Sequence, residues 1–228
     1  MTSFLTIEVP GEAAIDELMS LRKAYPSSGE YPFLIGDREE VSMLAENAEF
    51  VDRGADAILA GASDVDVGAW IASRKADIEA EAAEFGEDPD LQGEWPGERV
   101  PKGEISLHRD VLSRQVRPVC TIGLAEVDAP WKLPAVLGYG GWNDCPMPEV
   151  HCAFFRHWAD RYGAEPVGVS HDVIECTVAQ PPQTEEEAMA LAWEQYWYCY
   201  DIVEQGCETI SVLAASLIRS PYWYFWWD

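Results

Sequence analysis

The side chains best suited to acid–base work are one histidine and a scatter of carboxylates in the second half of the chain. His151 falls in the apolar stripe of a helix expected from Pro148 to Tyr162, between Trp158 and Tyr162 on the helical wheel. A histidine so placed is ordinarily a satisfied core residue, and where a pocket opens beside it, a general base. Asn143-Asp144 in the preceding turn and Glu194, Gln195 and Asp201 on a later helix would complete such a pocket. The chemistry would be that of a small hydrolase, with His151, Asp144, Glu194 and Asp201 as candidate catalytic groups. The same later helix offers a second reading. Glu187, Glu194, Asp201 and Gln205 form a narrow polar stripe with Trp197 and Tyr198 on its margins. Carboxylates one heptad apart stand about 10 Å apart along the axis, too far to share a proton. As a surface, Glu187, Glu194, Trp197, Tyr198 and Asp201 would suit a basic protein partner, and otherwise the stripe is a solvated helix face.

Other motifs carry less. Gly138-Tyr-Gly140-Gly141 lacks the Lys-Ser/Thr of a phosphate loop and the spacing of a dinucleotide fingerprint, and reads as a tight turn. Asp64, Asp66 and Gly68 miss the calcium-loop pattern, since Lys75 stands where a bidentate Glu must close it. Ser170-His171-Asp172 has the residue types of a triad, but neighbours on a strand point to opposite faces. His151 and His157 lie about 240° apart on one helix and cannot share a metal. No metal site and no cofactor are expected.

The elements that position these groups are well marked. Pro181-Pro182 blocks an earlier start, Thr184 is an N-cap, and Glu187 three residues on is its capping-box partner. The helix that follows is expected to end at Gly206 as a left-handed cap. Its face from Ala188 through Tyr196 to Val203 is so broadly apolar that protein must surround it, which buries Gln195. Ile210, Leu213, Ala214, Leu217 and Ile218 keep helical spacing, Pro221 stops that helix, and the tail Tyr222-Trp-Tyr-Phe-Trp-Trp227 reads as a strand. Five of the ten tryptophans lie after Pro181, so burial energy concentrates there.

Pro181-Pro182, Glu186-Glu187-Ala188, Leu191-Ala192-x-Glu194-Gln195-Tyr196, Asp201-Ile202-Val203-x-Gln205-Gly206 and Trp223-x-Phe225-Trp226-Trp227-Asp228 together resemble a bacterial domain-of-unknown-function family, number 4253. The resemblance covers roughly residues 118–228 and is strongest after 181. It implies a domain boundary and a bacterial origin, and it assigns no activity and no site residue.

Earlier in the chain, residues 3–9 read as a strand, Glu12–Ala24 as a helix, 31–35 as a strand, 38–48 as a helix and 57–60 as a strand. A helix capped by Asp64 runs to Phe85. Residues 86–103, with four Gly and three Pro, form the clearest linker. Strands are expected over 116–126, 132–137, 167–170 and 173–178, the last two as a hairpin. The expected fold is α+β: a mostly antiparallel sheet with helices packed on it, in a C-terminal domain 104–228, preceded by a smaller α/β N-terminal unit, 1–103. The chain has 228 residues with 41 acids against 15 bases, a net charge of -26. That charge repels phosphate and anionic lipid, which argues against nucleic acid and membrane partners and permits a basic protein partner. Six cysteines without a CxxC pair and no leader-like start fit reduced thiols and a cytoplasmic location. The sequence as a whole favours an acidic protein-binding module, of the kind that neutralises a basic toxin as an immunity protein does. The alternative is the small hydrolase around His151, Asp144 and Gln195.

Overall fold

The computed structural model describes residues 4–85 and 91–228. Six strands form one sheet in the order β1-β3-β2-β4-β5-β6: β1 Phe4–Pro10, β2 Glu30–Gly36, β3 Val119–Glu126, β4 Ala164–Val169, β5 Val173–Val178 and β6 Tyr222–Trp226. Every neighbouring pair is antiparallel except β2 with β4, which run parallel where Leu34 meets Gly168. The fold is therefore α+β with a mostly antiparallel sheet. β3 sits between β1 and β2, so strands from both sides of position 103 share this sheet.

Helices cover it unequally. α1 (Ala14–Ser28) places Ala14 and Leu18 on one face, against Leu34, Ile122, Val167 and the irregular segment carrying Ile105 and Leu107. The larger core lies on the other face. There α6 (Pro148–Tyr162), α7 (Glu185–Tyr198) and α8 (Ile210–Leu217) pack Phe154, Phe155, Trp158, Tyr196 and Ala214 onto Tyr31, Phe33, Trp223 and Phe225. Trp158 and Phe225 stack at 5.3 Å, and Trp158 meets Trp223 edge-on at 5.7 Å. α2 (Arg38–Asn47), α3 (Ala55–Asp64), α4 (Val67–Phe85) and the short α5 (Leu133–Leu137) flank this core.

Several expectations need correcting. Residues 57–60 lie inside α3, because Ile58 and Ala62 recur at helical spacing against Ala135 and Cys152. Residues 133–137 are helical, since Pro134 sits in a first turn where its missing N–H is no loss. The cap of α4 is Asp66, whose side chain accepts from the Ala69 N–H at 2.8 Å. α7 starts at its Thr184 capping box, with the Thr184 Oγ1 accepting from Glu187 N–H at 3.2 Å. It ends early, however. Cys199 turns extended (φ -149, ψ 86), a wide helical turn follows over Ile202–Cys207, and Glu208 rather than Gly206 takes a positive φ of 70.

Of the expected linker, residues 86–90 lie outside the described residues. Residues 91–103 have no regular structure, yet the chain there is held: Ile210 and Ser211 donate backbone bonds to Leu91 and Gln92 carbonyls at 2.8 and 3.0 Å. Just beyond it, the buried carboxylate of Glu175 on β5 accepts from Ser106 N–H at 2.7 Å, Ser106 Oγ–H at 2.5 Å and Leu107 N–H at 3.5 Å. Glu175 thereby ties this segment to the sheet.

Candidate functional site

His151 lies at the centre of the larger core and is fully buried. The turn from Gly138 to Pro146 wraps it. Gly140, at φ 111, must be glycine, because a Cβ there would stand 2.8 Å from the His151 Nε2 and 2.0 Å from the Pro146 carbonyl. The rings of Tyr139, Phe155, Tyr198 and Trp227 enclose the imidazole at 5.2 to 6.4 Å. Its Nδ1 bonds the Tyr198 hydroxyl, and its Nε2 lies 3.4 Å from Cys145 Sγ. Burial drives its pKa down to about 3, so the ring is neutral. Burial also pushes the Cys145 thiol up, so this cysteine–histidine contact holds a thiol beside a neutral ring and not an ion pair.

The residues expected to join His151 point elsewhere. Asp144 is exposed, pairs with Arg74 at 2.9 Å and accepts from the Tyr200 hydroxyl at 2.6 Å; that bond, with Arg74, holds its carboxyl below the usual range. Glu194 links α7 to α6, accepting from Trp158 Nε1 at 2.6 Å and Arg161 at 2.9 Å, with His157 at 2.9 Å. Asp201 is buried and accepts from Gln205 at 2.9 Å and from the Asp228 N–H at 3.2 Å. Gln195 is buried with its Nε2 unpartnered among the described residues. Asp144, Glu194, Asp201 and Gln195 are thus not among the groups that touch His151.

The expected binding stripe is likewise dispersed. Glu187 is exposed and occupied in its capping box. Trp197 and Tyr198 are both buried, but by different neighbours: Lys75 of α4 lies over the Trp197 ring at 5.9 Å, whereas Tyr198 packs into the larger core against Phe154 at 4.8 Å and Phe225 at 5.1 Å. The wheel gives angles on one helix and not which neighbours cover it.

A constellation that sequence reasoning missed forms at the carboxyl ends of the parallel pair β2 and β4. Asp37 caps α2 directly after β2, and its carboxylate accepts from Glu39 and Glu40 N–H. One turn on, Glu40 meets the β4–β5 turn, where its Oε2 lies 2.7 Å from His171 Nδ1. Asp172 Oδ1 stands 3.4 Å from the same nitrogen. Arg117 pairs with Asp37 and lies 3.6 Å from the other Glu40 oxygen. Trp226 Nε1 donates to Asp172 Oδ2 at 3.0 Å, and Asn47 Nδ2 to the His171 carbonyl at 2.7 Å. The bond to Glu40 raises the His171 pKa. Ser170-His171-Asp172 occupies a turn, so strand alternation does not separate its side chains: Ser170 Oγ–H donates to Asp172 at 3.1 Å. Glu40 is 131 residues distant in sequence, which hid the group from any local motif. Among the described residues, Glu40, His171 and Asp172 are the ones whose donor atoms converge closely enough to hold a metal, within 4.8 Å of one another.

An α+β sheet with a filled aromatic core and a polar cluster at its one parallel junction is the class of protein these features define. Residues 121–228 match the family described as domain of unknown function (DUF4253), for which no function is known. The match takes in β3 from Thr121 onward and β4 to β6, with His151, His171 and Asp172, and leaves out Glu40 and Arg117. No curated protein and no solved structure matches the chain. No helix among the described residues is long and apolar enough to cross a membrane.

Proposed function

We propose that the protein is a binding module for a basic protein partner, as an immunity-type neutraliser of a basic toxin would be. The observation that supports this reading best is the surface around Phe50. Residues 37–66 hold nine carboxylates and two arginines, Arg38 and Arg53. Both arginines are engaged, with Glu8 at 2.7 Å and Glu149 at 2.8 Å. Glu46, Glu49, Asp52 and Asp56 are exposed and form no ion pair among the described residues. Between Glu49 and Asp52 in the sequence, Phe50, in the tight turn after α2, is 69 % exposed. A lone exposed aromatic is ordinary, but one flanked in sequence by exposed carboxylates without ion-pair partners has the composition of an interface anchor. Its burial would contribute about 1.5–3 kcal/mol, and the carboxylates would speed encounter with a cationic surface. The filled core around His151 argues against the hydrolase reading, since a general base must reach substrate.

A photo-crosslinking residue at Phe50, with a control at exposed Lys23, identifies the partner in its native cell. Binding to that purified partner is then measured by surface plasmon resonance. Phe50→Ala is expected to speed dissociation at least about tenfold, and Glu46→Gln/Glu49→Gln/Asp52→Asn to slow association and flatten its salt dependence. Equal crosslinking at both positions, or unchanged kinetics in both variants, refutes the reading.

A further inference from the structure

Independently of that surface, we propose that Glu40, His171 and Asp172 bind a divalent transition-metal ion, of the Zn2+, Co2+ or Mn2+ class, through Oε2, Nδ1 and Oδ1. The spacing of the donor atoms is the first argument. A metal with bonds of about 2.0–2.2 Å holds neighbouring ligand atoms roughly 3.0–3.5 Å apart in octahedral or tetrahedral geometry. His171 Nδ1 lies 2.7 Å from Glu40 Oε2 and 3.4 Å from Asp172 Oδ1, and all three atoms lie within 4.8 Å of one another, so side-chain rotation would bring them to the spacing an ion requires.

The surroundings hold these atoms in place. Each carboxylate turns one oxygen toward the histidine while the other is engaged from outside: Glu40 Oε1 faces Arg117 at 3.6 Å, and Asp172 Oδ2 accepts from Trp226 Nε1 at 3.0 Å; Asp172 Oδ1 also accepts from Ser170 Oγ–H at 3.1 Å, a bond that the ion would share or displace. The His171 backbone is pinned by Asn47. Metal ligands are characteristically oriented by such outer partners. Charge favours a dication as well. Asp37, Glu40 and Asp172 against Arg117 leave two negative charges in excess when His171 is neutral, which is the charge a dication cancels. The three ligand side chains are 15–26 % exposed, so an ion can enter and leave coordination positions open on the solvent side. The imidazole favours Zn2+ and Co2+ over Ca2+ and Mg2+, which prefer oxygen alone, while the two carboxylates keep Mn2+ within the set.

Titration of the full chain with Co2+ tests this, because its visible spectrum distinguishes nitrogen and oxygen ligation from thiolate ligation. The expected result is one equivalent bound with a nitrogen/oxygen spectrum and a rise in melting temperature on binding. Binding should be lost in His171→Ala and in the isosteric Glu40→Gln, and weakened about 10–100-fold in Trp226→Phe, where only an outer donor is removed. Cys207→Ser, at the one cysteine that is not fully buried, should bind as the parent does. Metal-free melting of each variant separates loss of the site from loss of the fold. Thiolate bands, no stoichiometric binding to the parent, or undiminished binding in folded His171→Ala or Glu40→Gln overturns the proposal.

Discussion

Replacing Glu175 by Gln perturbs one buried carboxyl and little else. Glu175 is 1 % exposed, and burial raises its pKa from 4.5 to about 7 in spite of the bonds from Ser106 and Leu107. A raised carboxyl pKa means that the folded protein holds the proton more tightly than the unfolded chain. The stability this gives is therefore complete below the unfolded value and is lost as pH rises through the folded one. With about 1.4 kcal/mol for each pKa unit, the whole span amounts to about 3 kcal/mol. The sequence isoelectric point of about 4.3 puts the lower end of that window near zero net charge, where association competes with unfolding. From pH ~5.5 to ~8.5 about 2 kcal/mol remains to be observed. Glutamine has no proton to lose, and its oxygen can still accept both Ser106 bonds. The stability of Glu175→Gln relative to the parent should therefore rise by about 2 kcal/mol across this range, or by about 4–8 °C in melting temperature for a chain of this size. Urea unfolding of both proteins at matched pH gives the difference directly, because groups shared by both cancel. In the parent, hydrogen-exchange protection at Leu107 N–H should fall over the same range as the segment loosens. A variant-minus-parent difference that stays flat with pH refutes the assignment of a raised pKa to this carboxyl.

Two further outcomes follow from the core. His151, with its pKa lowered to about 3, should keep the nitrogen shifts of a neutral imidazole from pH ~5 to ~8; a titration within that range would show water reaching the ring. Deleting Trp223 to Asp228 removes three buried aromatics, Trp223, Phe225 and Trp227, at roughly 3–5 kcal/mol each against a domain stability of roughly 5–15 kcal/mol. The truncated chain should not unfold cooperatively, and a soluble truncation with parental melting would refute the weight placed on this strand.

How much of the fold the sequence discloses depends on how local its cause is. The bounds of α6 follow from Pro148 at its first turn and Gly163 as its left-handed cap, φ 58. The start of α7 follows from one Thr–Glu pair, and the β4–β5 hairpin from turn residues between two apolar runs. The errors fall where a short apolar run fits either period. Ala57 to Ala60 becomes helical because α5 and α6 offer it a helical groove, and α7 breaks at Cys199, where Sγ–H donates to the Trp226 carbonyl at 3.0 Å. Neither partner is adjacent in sequence.

The site residues divide along the same line. His151 is conspicuous in sequence because it interrupts an apolar stripe, and that interruption signals burial: Tyr198, Cys145 and a glycine turn enclose it. His171 gives no such signal, since a polar residue in a turn needs no explanation. Its surroundings come from residues 40, 47, 117 and 226, brought together only when β2 and β4 lie side by side. That parallel pairing requires a crossover connection, and it leaves the N-terminus of α2 facing the β4–β5 turn. Glu40 and Arg117 lie outside residues 121–228 whereas His171 and Asp172 lie within them, so the cluster depends on pairing the family-matched region with the strands that precede it. Residues 121–228 alone would carry one histidine and one aspartate of the three donors, and a pair of ligands without the third holds a metal weakly.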